Sequence, residues 1–170
     1  MNETLLQVVL PIMLALVLTN YKTTWVPIKK KIIDPLHRAG HKTFGTLSGK
    51  IPQIEERDSG HDLSIDKKGV KVVALLMGAP TPLVIGAAIA AASWTLPQNA
   101  LAAAVLFIGA VLISGALNGL IDLSMTTSRG FFTDASLLET ATGTDARKWA
   151  AATWLIGLAL SALVVLPIAL

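Results

Sequence analysis

The sequence predicts an all-α integral membrane protein with four transmembrane helices and a short cytoplasmic amphipathic helix between the first and second. Three observations carry this. The chain of 170 residues is 53% hydrophobic and 15% charged, with a mean hydropathy of +0.63, whereas soluble domains average about 25% charged. Its apolar residues gather in four runs near the length of about 20 residues that a helix needs to cross a bilayer. Its basic residues gather in two segments that four spans place on one side of the membrane.

The first span occupies residues 1–21, with its apolar run from Thr4 to Asn20 and a mild kink expected at Pro11. Tyr21 and Trp25 extend it into the interface, where aromatic rings settle. Met1, Asn2 and Glu3 carry no cation, and a secretory signal begins with a positive region. The run therefore reads as an uncleaved signal anchor with its N-terminus outside.

Residues 22–69 form the largest polar segment. Lys29, Lys30 and Lys31 follow the first span directly, and a juxtamembrane lysine gains about 1 kcal/mol near anionic headgroups. They are candidate lipid contacts, although a topological stop signal is the plainer reading. Asp34-Pro35 reads as a helix start, an N-cap followed by a proline in the first turn. Leu36, Gly40, Phe44 and Leu47 then recur at helical spacing, and Gly49 closes the helix. Such a helix either lies on the inner membrane surface or docks on a partner. His37 and His41 are four apart and share a helix face, a spacing that suits a metal. No neighbouring acid completes a His-Glu-x-x-His motif, so both read as ordinary interfacial histidines, and no metal or cofactor site is assigned. His61 sits in polar surroundings and carries no signal. Ile51 to Asp66 mixes charge with Gly, Ser and Pro without a clear period and reads as a surface loop.

Residues 70–121 form a transmembrane hairpin. Its spans run from about Val70 to Trp94 and from Ala100 to Ile121, joined by a Thr-Leu-Pro-Gln-Asn turn. Residues 122–148 form a second polar link. Phe131, Phe132, Leu137 and Leu138 are unusual for a free loop and suggest a short helix near Thr133 to Thr142, capped by Thr133 or Asp134 and stopped by Gly143. Asp145 then caps the fourth span, residues 149–170.

Charge sets the orientation. Eleven of the 14 Lys and Arg lie between Lys22 and Lys71, and the other three are Arg129, Arg147 and Lys148. Three or five spans would split these across the membrane, whereas four put both groups in the cytoplasm and both termini outside. Short loops, alanine-rich spans and this clean asymmetry favour a bacterial inner membrane.

Within the spans, helix association depends on close packing and interhelical hydrogen bonds, because lipid supplies no hydrophobic drive. Gly115 and Gly119 on the third span, and Thr153, Gly157 and Ser161 on the fourth, are the candidate packing residues. Gly86 and Ala90 offer a similar face on the second span. Asn118 and Asp122 continue a stripe from Ala110 and Ser114. An ionisable group in hydrocarbon is costly and often functional. Asp122, however, lies about 34 Å along the helix from Asn99 at 1.5 Å per residue, near the inner headgroups, where a structural role is the simpler expectation. Pro80 and Pro82 interrupt the second span, as a kink or as the broken helix of a transport site.

Composition narrows the function. The net charge of +3 and pI near 9.3 follow from basic residues beside spans and do not indicate nucleic acid. The absence of cysteine excludes disulfides, thiolate metal sites and cysteine nucleophiles. No nucleophile elbow, phosphate loop or carboxylate cluster appears, so the chain is not expected to be an enzyme. The reading that follows is a structural or accessory subunit of a larger membrane complex for transport, secretion or energy conversion. Its partners are the bilayer and other membrane subunits, with a homo-oligomer among the allowed states. The alternative is a small oligomeric transporter or channel using Pro80, Pro82, Asn118 and Asp122.

Overall fold

The computed structural model describes residues 3–57, 60–97, 99–127 and 133–169. Phe131, Phe132 and Arg129 lie outside them. Among the described residues eight α-helices follow one another: α1 (Glu3–Asn20), α2 (Lys22–Ile28), α3 (Asp34–Gly45), α4 (Lys68–Gly78), α5 (Pro80–Ser93), α6 (Ala100–Thr127), α7 (Asp134–Thr142) and α8 (Ala146–Ala169). One two-stranded hairpin, β1 (Gln53–Arg57) and β2 (Gly60–Ser64), stands between α3 and α4. Among the described residues, α6 and α8 are each long and apolar enough to cross a membrane. The number rises to four if each of two bent pairs is a single span: α1 with the helical stretch after it, bent by 93°, and α4 with α5, bent by 49°.

The long helix α6 is the spine. It packs against α1, α5 and α8, and α5 also packs against α8. The α5–α6 contact is closest at Gly86 and Gly109. A Cβ on Gly109 would stand 2.6 Å from the Ala90 nitrogen, and one on Gly86 would stand 3.0 Å from the Gly109 carbonyl oxygen. Backbone meets backbone there, which is how helices adhere without a hydrophobic drive. Gly115 takes the Ile33 and Trp25 side chains, and Gly157 takes Leu83 and Pro80. Gly119 has nothing within 4 Å of the position its Cβ would occupy, so the Gly115–Gly119 pair does not act as one packing motif. Thr153 is buried, and its hydroxyl donates to the Trp149 carbonyl, as Ser161 does to Gly157.

The polar residues of the helices close on one another. The hydroxyls of Thr19 and Ser114 share a hydrogen bond of 2.5 Å. Asn118 Nδ2 donates to the Thr19 carbonyl at 3.0 Å. These bonds pin the end of α1 to α6. One turn on, Lys29 Nζ reaches Asp122 Oδ2 at 3.2 Å, with both side chains about half exposed.

Three elements differ from the sequence reading. Asp34 does not cap a helix. Its backbone is helical, and so is that of Ile33 before it, because α2 runs through a wide π-helical turn, Lys29–Ile33, directly into α3. Proline at 35 lacks an N–H and its ring crowds the preceding turn, and a π-turn is a known accommodation for such a disruption. Gly49 does close the stretch, with φ of 90°. Second, the expected loop over 51–66 holds the hairpin, in the register Gln53↔Ser64 and Ile54↔Leu63. Third, the two polar segments are not separate links but fold on each other. Leu63 of the hairpin, Ala74 and Leu75 of α4, and Leu137 and Leu138 of α7 form one buried core, flanked by Phe44, Ile54, Ile65 and Trp149. The helix α7 has the expected cap at Thr133, whose hydroxyl accepts from the Ser136 N–H, and ends at Gly143 with φ of 77°. Asp145 accepts the Arg147 N–H at the start of α8.

A buried histidine–aspartate cluster as the candidate functional site

The helix α3 lies across α4 and the start of α5, and the crossing is made at two glycines. A Cβ on Gly40 would overlap the Thr81 hydroxyl, and one on Gly78 would overlap the rings of His41 and His37. The missing side chains bring the α4 backbone directly onto the imidazoles. His37 and His41 stand one helical turn apart on α3, with ring centroids 4.6 Å apart. The first residue of α7, Asp134, closes the cluster from the other polar segment.

Asp134 Oδ2 lies 2.8 Å from His37 Nε2, and Oδ1 lies 3.4 Å from His41 Nε2. Relative side-chain exposure is 0% for His41, 3% for Asp134 and 24% for His37, so the cluster is closed except at the His37 edge. His41 Nδ1 lies 2.8 Å from the Ala74 carbonyl oxygen. A carbonyl only accepts, so Nδ1 carries the proton and Nε2 faces Asp134.

The electrostatics follow from burial and charge. Burial alone pulls the His41 imidazole below its ordinary 6.5, but the Asp134 charge and its hydrogen bond, with help from the Ala74 carbonyl, leave it raised. Burial would push Asp134 up, yet the charges of His41 and His37 and their hydrogen bonds hold its carboxyl well below the ordinary 3.8. Buried carboxylate and imidazolium therefore stabilise each other.

The structure distributes the other sequence candidates elsewhere. Asn118 and Asp122 are engaged by Thr19 and Lys29, as described. Pro80 and Pro82 are fully buried at the α4–α5 bend. Lys30 lines a surface groove with Asp34, Arg38 and Lys42, separate from Lys29. His41 does not behave as an interfacial residue, since it reaches no solvent, whereas His37 keeps a partly exposed edge.

Asp134 was legible only as a helix start. A stronger signal was present: Asp134, Leu137 and Leu138 stand at i, i+3 and i+4, so a carboxylate shares the apolar face of α7. A buried acid requires a partner, and histidines on a second helix are apt ones. The fold and cluster thus define an all-α protein with two to four helices fit to cross a membrane, whose polar segments join around a buried His–His–Asp centre. No protein-family model, curated protein or solved structure matches the chain.

Proposed function

We propose that the chain is an accessory integral membrane subunit, a scaffold within a larger assembly, and neither an enzyme nor a conduit. It crosses the bacterial inner membrane four times, through α1, the bent α4–α5 pair, α6 and α8, with both termini outside. The right-angle bend after α1 allows the helix that follows to lie along the inner surface.

One observation carries the scaffold reading. Among the described residues, the two polar side chains that the sequence offers for a transport path are engaged between elements, Asn118 with the Thr19 backbone and Asp122 with Lys29, and Thr19 bonds Ser114 beside them. A conduit needs polar groups that face a cavity. The proline break supports the same view, because Pro80 and Pro82 are fully buried and Pro80 lies against Gly157 of α8. The apolar faces of α1 and α8, including Leu10, Met13, Leu155 and Leu163, remain exposed for lipid or neighbouring subunits.

The purified chain in liposomes tests this. It is expected to pass no ions or small solutes, and mild detergent extraction is expected to give a particle heavier than the chain alone. A flux abolished by Asp122→Asn would replace the scaffold with a transporter.

A further inference from the structure

Two imidazoles and one carboxylate meet in one largely buried cluster. We propose that His37, His41 and Asp134 bind a divalent transition-metal ion, with zinc the ion that the donor set fits best. The three side chains each offer one ligand atom, and those atoms all lie within 4.8 Å of one another. A tetrahedral zinc ion with bonds of about 2.0–2.2 Å holds its ligand atoms roughly 3.3 Å apart. The His41 Nε2 to Asp134 Oδ1 distance of 3.4 Å meets that spacing. The 2.8 Å contact from His37 Nε2 runs to the other carboxylate oxygen, Oδ2, and is that of a hydrogen bond, which His37 gives up to reach an ion held on Oδ1.

The surroundings favour a ligand set over a chance ion pair. The Ala74 carbonyl accepts from His41 Nδ1, the outer contact that fixes metal-binding imidazoles in the tautomer presenting Nε2. Gly78 seats the α4 backbone against both rings, so the imidazole planes are held by main chain. Spacing of i and i+4 puts both histidines on one face of α3. The His37 edge is the exposed side of the cluster, and a water entering there supplies a fourth ligand. Nitrogen donors with a single carboxylate favour zinc and its transition-metal neighbours over calcium or magnesium, which prefer sets of oxygens. The ion would clamp α3 to α7 and thereby lock together the two polar segments, independently of whether the chain serves as a scaffold.

The test uses the full chain in detergent micelles, stripped with a chelator, loaded with Zn2+ and desalted. Elemental analysis is expected to find about one zinc per chain, and X-ray absorption at the zinc edge is expected to show imidazole scattering. His37→Gln and Asp134→Asn should each weaken binding by more than about tenfold. His37→Gln keeps the buried His41–Asp134 pair, so its fold should survive, and circular dichroism verifies that. A wild-type chain that leaves the desalting step without zinc overturns the proposal. So does zinc bound equally well by a folded His37→Gln chain, which would make the cluster an ion triad alone.

Discussion

His41 has no contact with water, yet its protonation helps decide whether α3 and α7 stay together. Its raised folded value means that the stabilisation it gives is complete below about 6.5, its unfolded value, and is lost as pH rises through the folded one. Asp134 works in the opposite sense. Its depressed value gives stabilisation that is present above 3.8 and is lost only as pH falls through a still lower folded value. Both contributions are complete between these limits, from about pH 4 to about pH 6.5. In chelator, thermal unfolding of the micelle-bound chain should therefore be slowest or hottest in that window and decline on the alkaline side. Asp134→Asn should flatten the alkaline decline and cost about 3–5 kcal/mol at pH 6, the usual loss on breaking a buried pair. An unfolding midpoint that rises steadily from pH 6 to 8 in the metal-free wild type would contradict this assignment of charges.

Glycine content alone does not tell which helix faces touch. The sequence places Gly115 and Gly119 one turn apart, and that spacing suggests a shared packing stripe. In the structure Gly115 receives Ile33 and Trp25, whereas Gly119 faces open space, and the tightest approach is at Gly86 and Gly109. Spacing specifies a face of a single helix but not the partner or the crossing point, and Gly109 lies outside every small-residue motif read from the chain. Two substitutions separate these cases. Gly109→Ala puts a methyl into the Ala90 backbone and should destabilise the α5–α6 pair by about 1–3 kcal/mol. Gly119→Ala meets nothing and should be neutral or stabilising by up to about 1 kcal/mol, through the better helix propensity of alanine. Denaturation in mixed micelles, followed by circular dichroism, ranks the two. The missed hairpin has a related cause. Only Ile54, Leu63 and Ile65 signal its inner side, and an alternation this short is overwhelmed by the charged residues around it. The hairpin is defined by what Leu63 packs on, a core shared with α4 and α7, which no local pattern contains.

The apolar runs and most of the helices they become were readable because both depend on local features, hydropathy and caps. The joining of residues 22–69 to 122–148 was not, because it rests on contacts between elements nearly 100 residues apart: His37 and Asp134 are separated by 97 positions. That contact bears on topology. A hydrogen bond of 2.8 Å cannot reach across a hydrocarbon core about 30 Å thick, so residues 37 and 134 lie on one side of any membrane the protein occupies. An even number of crossings must then separate them, as α4–α5 and α6 provide if the bent pair is one span. The chain has no cysteine, which makes single introduced thiols clean reporters. Thr46→Cys after α3 and Thr140→Cys on α7 replace exposed residues at the joined end, and Thr95→Cys replaces an exposed residue in the turn between α5 and α6. In sealed inverted vesicles, an impermeant maleimide should label positions 46 and 140 at once and position 95 only after detergent. Prompt labelling of just one of 46 and 140 would mean that the two polar segments never meet, and the shared core, the cluster and the four-span arrangement would be lost together.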